Sequence, residues 1–295
     1  MSLVDLHVHS TASDGRLTPS RIMSEAASRG LSHVSVSDHD TVDGTPEALG
    51  AAAAAGIVAI PAVELSIDLA SGGSAHLLGY FPGIGAEDLV RRDGPLGRAL
   101  DRVRKARERR NPAILGKLAS MGMVLNEEAV RALAGGDVVG RPHIARALLE
   151  AGHVSSLSEA FDRFLARGRP AYVERERLFE AEALDVIRGM DGIPVLAHPG
   201  LLGRTLQELS ALVHAMAGRG LMGVEVFYPR HGSEVEQHLL GLSDRLGLLV
   251  TGGTDFHGLE GEQVGLGGRP GVFEIRDVQV SRFLDACAEK SAGRV

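Results

Sequence analysis

The sequence predicts an α/β fold with a largely parallel sheet. Two observations carry this. Short apolar runs alternate with longer helical patterns from residue 3 onward, and 44% of the 295 residues are hydrophobic against only 4% aromatic, enough for a sizeable aliphatic core. Strands are expected at residues 3–8, 33–37, 57–60, 76–81, 194–197, 222–227 and 248–251. Between the early strands, Thr18-Pro19 and Thr45-Pro46 each set an N-cap residue before a helix-starting proline. The alanine run 51–55 is good helix.

The middle of the chain, 96–171, shows helical periodicity and no convincing strand, so an inserted helical domain is expected between α/β parts at 1–95 and 172–295. Residues 91–117 hold ten basic and three acidic side chains, a basic patch on a protein with 31 basic and 38 acidic residues and a net charge of −7. Most charge runs are solvated helix faces. Here, however, Leu100, Val103, Arg107, Arg110, Ile114 and Leu118 share one helical stripe, so the face that buries the helix carries two arginines in need of anionic partners. Pro112 is expected to kink or end that helix near Asn111.

The charge balance excludes a disordered polyelectrolyte and a broadly basic nucleic-acid coat. Cys287 stands alone, so no internal disulfide forms, and it lacks an obvious partner for a nucleophilic role. The opening residues carry neither the cationic start nor the apolar block of a signal peptide, and the apolar run 48–63 is broken and short, so a cytoplasmic protein without membrane contact is expected. No Gly-x-Gly-x-x-Gly loop, P-loop or Gly-x-Ser-x-Gly elbow is present.

Chemistry concentrates where the strands end. In Asp5-Leu6-His7-Val8-His9 the two imidazoles project from one face of a strand while Val4, Leu6 and Val8 take the other. His-x-His alone is equally compatible with ordinary surface histidines. The pattern recurs, though: Asp14 follows strand one, Asp38-His39-Asp40 strand two, then Glu64, His76, His198 before a proline, and Asp255 with His257. Six histidines and three carboxylates without a thiolate suit Zn²⁺, Mn²⁺ or Fe²⁺, and nine donors exceed what one ion uses, so two or three divalent ions are expected.

Asp5-Leu6-His7-Val8-His9-Ser10 with Ser13-Asp14-Gly15, the segment Asp38-His39-Asp40, Glu64 and Asp255-x-His257 together resemble the PHP family, named for polymerase and histidinol phosphatase, over nearly the whole chain. They are most similar to its branch of nucleoside 3′,5′-bisphosphate phosphatases and 5′-to-3′ exoribonucleases. The resemblance implies a distorted (β/α)7 TIM-like barrel with an inserted helical domain and a trinuclear metal centre. It further implies that His7, His9, Glu64 and Asp255 bind one ion, Asp14, His39 and His257 a second, and Glu64, His76 and His198 a third. Asp14 stands where many relatives carry His.

Gly140-Arg141-Pro142-His143 sets Arg141 and His143 by a helix N-terminus, where backbone donors favour an anion. Tyr228-Pro229-Arg230-His231 delivers Arg230 and His231 to the rim where the metal candidates lie. Both pairs are candidate phosphate contacts, with His231 and His143 as candidate proton donors; Arg167 and Arg169 form a third basic set. His33, His153, His214 and His238 read as ordinary surface or hydrogen-bonded residues.

The expected activity is metal-dependent phosphoester hydrolysis. Divalent ions lower the pKa of water toward about 7 and neutralise charge on phosphoryl oxygens. The expected substrate is a small nucleotide such as a 3′,5′-bisphosphate, or the 5′ end of short RNA. A cyclic phosphodiesterase of sugar phosphates and a non-catalytic metal-binding module are the alternatives. No stable protein partner is implied.

Overall fold

The computed structural model describes residues 2–134, 138–259 and 262–293. The chain opens with β1 (Leu3–Val8), α1 (Pro19–Ser28), β2 (Leu31–Val36), α2 (Thr45–Ala55) and β3 (Val58–Ala59), whose strands form a parallel sheet in that order. A hairpin of β4 (Ala62–Asp68) and β5 (Ser74–Tyr80) follows, then helices α3 (Ala86–Leu89), α4 (Pro95–Ser120), α5 (Glu127–Ala132), α6 (Arg141–Glu150) and α7 (Leu157–Ala160). The last third runs β6 (Leu178–Phe179), α8 (Glu180–Gly189), β7 (Ile193–Leu196), α9 (Leu206–Ala217), β8 (Gly223–Phe227), α10 (Ser233–Leu246), β9 (Leu249–Gly252) and α11 (Ser281–Ala292). The second sheet is ordered β6-β4-β5-β7-β8-β9.

The helix starts follow local chemistry. Thr18 accepts a hydrogen bond from the Arg21 amide and Pro19 opens α1. At α2 the expected cap is one residue out: Gly44 occupies that place, without a side-chain bond, and Thr45 is the first helical residue.

Three strand expectations change. Strand 57–60 shrinks to the two residues of β3, because Pro61 ends it, and a strand not anticipated, β4, takes over. Its alternation is clear: Val63, Leu65 and Ile67 are fully buried in the main core, each contributing about 1.5–3 kcal/mol, while Glu64 and Ser66 face the other way. Glu64 therefore sits mid-strand rather than after one. Second, β5 runs antiparallel to both β4 and β7, so the second sheet is mixed. The turn at Gly72 and Gly73, with φ of 84° and 85°, reverses the chain where a side chain would be strained. Third, β6 is an unanticipated two-residue strand beside β4.

Helix α4 continues through Pro112 instead of ending there. The proline costs about 3 kcal/mol, but Ile114 and Leu118 beyond it are fully buried, which offsets that cost. Asn111 also ties the turn, donating from Nδ2 to the Val139 carbonyl at 2.9 Å. Helices α4 to α7 enclose an apolar cluster of their own that includes Ile114, Leu118, Ile144 and Leu148. Among the described residues, no helix is long and apolar enough to cross a membrane.

The two sheets meet along two seams. The Asp255 amide donates to the His7 carbonyl at 2.8 Å and the His9 amide to the Phe256 carbonyl at 2.9 Å, joining the end of β1 to the chain beyond β9. The Asp40 amide donates to the Glu64 carbonyl at 2.9 Å, and the Glu64 amide to the Asp38 carbonyl at 3.2 Å, joining the chain beyond β2 to β4.

Candidate metal centre

Strand ends supply the site. His7 and His9 close β1, His39 follows β2, His198 follows β7, and Asp255 with His257 follows β9, all at carboxyl ends where α/β folds bind ligands. The reversed β5 presents its amino end to the same place, which is why His76 lies near its start. Gly253 permits the close approach of the last segment to β1, since a Cβ there would stand 2.3 Å from the His7 Cβ. The local backbone is strained as well: Asp40, His198 and Asp255 have φ of 54°, 27° and 55°, a cost of about 1–3 kcal/mol each that surrounding contacts must offset.

All nine sequence candidates converge. One group comprises His7, His9, Glu64 and Asp255. His7 Nε2 lies 3.2 Å from His9 Nε2, 3.4 Å from Glu64 Oε1 and 3.4 Å from Asp255 Oδ1, while His9 Nε2 lies 3.3 Å from Glu64 Oε2 and 3.0 Å from Asp255 Oδ1. Donors at tetrahedral corners about 2.1 Å from a zinc-sized ion stand about 3.4 Å apart, which is close to this spacing. A second group joins Asp14, His39 and His257, with His9 as a further member; Asp14 carboxylate oxygens lie 3.4 Å from His257 and 3.9 Å from His39. Around Glu64 Oε1, His76 Nδ1 stands at 2.9 Å and His198 Nε2 at 3.0 Å, and His39 Nδ1 approaches Glu64 Oε2 to 2.7 Å.

These contacts are not a satisfied hydrogen-bond network. Close as some of them stand, no hydrogen bond of good geometry from the described residues reaches the buried His9 Nδ1, His39 Nδ1, His198 Nδ1, Glu64 Oε2 or Asp255 Oδ1. Buried polar atoms are almost always paired, so donors crowded together and left unpaired fit a cation between them. Charge agrees. Against burial, the neighbouring histidines hold Asp14, Glu64 and Asp255 well below the usual carboxylate range. Burial, then His257 and His39, push His9 down to about 3, so its ring is neutral and free to ligate.

A layer outside these donors was not anticipated from the sequence. Glu225 is fully buried on β8; its Oε1 stands 3.0 Å from His7 Nδ1 and its Oε2 accepts from the His198 amide at 2.7 Å. Tyr228 donates to Asp255 Oδ2 at 3.0 Å. Asp38 accepts from the Ser10 amide and from the Ser10 and Ser13 hydroxyls. Asp5 accepts from the Thr254 amide and hydroxyl and from the Gly267 amide.

Beside Asp14, His39 and His76 opens a cleft of about 190 Å³ lined by Arg107, Arg110, Arg141, Arg175 and Arg177. Arg107 and Arg110, from the stripe on α4, are both buried; Arg107 and Arg175 donate to Asp40, which is itself held by Ser66. Arg175 and Arg177 escaped the sequence reading because they lie in an irregular stretch without periodicity. Of the sequence-selected pairs, Arg141 lines this cleft, whereas His143 accepts from the Gly140 amide with Nδ1 at the start of α6. Arg230 is exposed on a separate cleft shared with Asp255. Both ring nitrogens of His231 are occupied by backbone: Nδ1 donates to the Val226 carbonyl at 2.8 Å and Nε2 accepts from the Gly200 amide at 3.1 Å. The Nδ1 proton of His231 is thus engaged by the Val226 carbonyl in this arrangement. Arg167 and Arg169 are exposed outside the arginine cleft.

The PHP domain family profile matches residues 5–116, a span that holds His7, His9, Asp14, His39, Glu64 and His76 together with Arg107 and Arg110 of the cleft. Among known proteins, the chain is 33% identical to a 3′,5′-nucleoside bisphosphate phosphatase from Chromobacterium violaceum, covering 90% of this chain and 91% of that one. It is also 33% identical to a 5′-3′ exoribonuclease from Haemophilus influenzae, over 86% and 89% of the two chains. Its fold is similar to that of an amidohydrolase from Chromobacterium violaceum solved with bound sulfate and no metal, with a TM-score of 0.83, 28% identity and 97% of each chain covered. With a third of the residues shared along nine-tenths of both chains, and the donor string gathered as described, this protein belongs to the PHP domain family.

Proposed function

We propose that this chain is a metal-dependent phosphoesterase that hydrolyses phosphate monoesters of small nucleotides, such as 3′,5′-bisphosphates, or acts on the 5′ ends of short RNA. The observation that carries this reading is the cluster of nitrogen and oxygen donors, of which Asp14, His39 and His76 line an arginine-walled cleft. Amide hydrolysis would use the donors but leave the arginines without a role. The names of the relatives support the same substrate class.

In this reading two or three divalent ions, Mn, Fe or Zn, are held by His7, His9, Glu64 and Asp255, by Asp14, His39 and His257, and by Glu64, His76 and His198. When bound, such ions activate water and neutralise charge on the attacked phosphoryl group. The chain's own residues do the rest. Glu225 fixes the orientation of the His7 ring, Asp40 holds Arg107 and Arg175 at the cleft wall, and Arg141 and Arg230 contact substrate oxygens from two sides. His143 and His231 are held in place by their backbone bonds. The seven strands β1, β2, β4, β5, β7, β8 and β9 make a distorted (β/α)7 barrel, which the two seams support, and the helices of 96–171 form an inserted cap domain between 1–95 and 172–295.

The test is phosphate release from a nucleoside 3′,5′-bisphosphate, and shortening of a 5′-phosphorylated oligoribonucleotide, by protein loaded with Mn²⁺. Turnover is expected on at least one, lost on chelation and restored by the ion. Inactivity of the loaded, folded protein on both overturns the reading.

A further inference from the structure

Asp38 is only 2% exposed and stands outside the three donor groups, its carboxylate already taken by the chain. Oδ1 accepts from the Ser10 amide at 2.7 Å and the Ser13 hydroxyl at 2.5 Å, and Oδ2 from the Ser10 hydroxyl at 2.6 Å. These bonds clasp the turn between β1 and α1, which is closed on itself where the Ser10 carbonyl accepts from the Ser13 amide at 3.1 Å and the Gly15 amide at 2.9 Å. His9 enters that turn, Asp14 lies within it, and His39 follows Asp38 directly. Three members of the group His9, Asp14, His39 and His257 therefore hang on two segments that one carboxylate joins. Glu64 meets Asp38 differently, through its amide on the main-chain carbonyl at 3.2 Å, a bond that a change of side chain leaves in place.

Ser13 makes the link specific. Its hydroxyl also lies 3.3 Å from Asp14 Oδ1, and one proton cannot serve both carboxylates. The shorter contact, to Asp38, takes it. Asp14 then keeps Oδ1, which stands 3.4 Å from His257 Nε2, as a bare acceptor for a cation.

Resting on the reading that these donors hold divalent ions, we propose that Asp38 is a positioning residue for the ion of Asp14, His39 and His257. It sets that site through the Ser10–Ser13 turn, while the ion of His7, His9, Glu64 and Asp255 is retained without it. Removing the group that orients a ligand typically weakens metal binding about 10–100-fold. Because the Asp38 side chain bonds to the turn that carries Asp14, that loss falls on one ion rather than on all of them.

The experiment loads wild type, Asp38→Ala, Asp38→Asn and Val213→Ala with Mn²⁺ and counts ions per folded chain through a graded chelator series, recording the electron paramagnetic resonance spectrum at each step. Wild type should hold at least two ions and show the spectrum of coupled neighbours. Asp38→Ala should release one ion at about 10–100-fold lower chelator strength, leaving the signal of isolated Mn²⁺. Asp38→Asn should recover part of that loss, because its Oδ1 still accepts from the Ser10 amide and the Ser13 hydroxyl while its NH₂ donates to Ser10 Oγ. Val213 is fully buried on α9, away from the donors, so Val213→Ala lowers stability alone and should keep the wild-type count. Wild-type retention in folded Asp38→Ala, simultaneous loss of all ions, equal loss in Asp38→Asn, or the same single loss in Val213→Ala each overturns the positioning role and leaves the metal reading intact. If Asp38→Ala does not fold, Ser13→Ala is read in its place, with selective loss of one ion expected and full retention overturning the proposal. A wild type that binds fewer than two ions overturns the metal reading itself, and the positioning role with it.

Discussion

Replacing Glu225 by Gln tests whether the buried donors are held in a ligating state by the residues behind them. The carboxylate is fully buried and makes two contacts, Oε1 with His7 Nδ1 at 3.0 Å and Oε2 with the His198 amide at 2.7 Å. An amide of the same shape cannot keep both in their present roles. If its oxygen stays on the His198 amide, its NH₂ faces His7 Nδ1, drives the ring proton to Nε2, and blocks the nitrogen that faces Glu64 and Asp255. If it flips, two N–H groups oppose each other at His198. Losing a partner of this kind typically weakens metal binding 10–100-fold, or about 1.4–2.7 kcal/mol. The assay is metal content after dialysis against a graded chelator series, read by elemental analysis together with kcat/KM. Wild-type metal retention in a folded Glu225→Gln protein would refute the reasoning.

Asp40→Asn leaves Arg107 and Arg175 buried without their shared anion, and breaking such a pair is expected to cost about 3–5 kcal/mol, seen as a fall in Tm. Against burial, Arg107 and Arg175 hold this carboxyl well below its usual range; its stabilisation is complete above the unfolded value of about 3.9 and is lost as pH falls through the folded one, so the Tm gap between wild type and variant should hold from pH 6 to 8 and close in acid. A gap that widens in acid contradicts this. Gly253→Ala drives a Cβ to 2.3 Å from the His7 Cβ and 2.5 Å from its amide nitrogen, which should destabilise by at least about 1–3 kcal/mol and lower metal content; an unaltered Tm counts against so close an approach of these two segments. Burial pushes the Cys287 thiol up to about 12, leaving a thiolate fraction on the order of 10⁻⁴ at pH 8, so alkylation should be slow in native protein and fast in denaturant. Rapid native labelling would contradict that burial.

Features governed by local periodicity were legible in the sequence. The alternation of β1 puts His7 and His9 on one face, and the i, i+3, i+4 stripe of α4 picks out Arg107 and Arg110 from the pattern alone. Features governed by distant pairing were not. Gly72-Gly73 signals a reversal into β5, but with β4 unrecognised no strand stood before it to complete a hairpin, and the antiparallel pairing with β7 is settled across the sheet. Glu64 stood out as a donor candidate while its strand went unseen behind Pro61. Glu225 did leave a signal: a lone carboxylate flanked by Val224 and Val226 in an otherwise apolar strand must face something polar. Arg175 and Arg177 left none, since an irregular segment has no period to betray which way its side chains turn.

The seam between β1 and the segment after β9 has a consequence for how the protein comes into being. His7 and His9 are made long before the atoms they face at Asp255, and the Asp5 bonds to Thr254 and Gly267 that pin their strand span 249 and 262 residues of chain. Contacts of such sequence separation form late and demand the largest loop closure. A chain that stops before Gly267 thus carries the chelating pair without the contacts that pin it, and ion capture by the pocket becomes a report that the segment through Gly267 has been made and has folded onto β1.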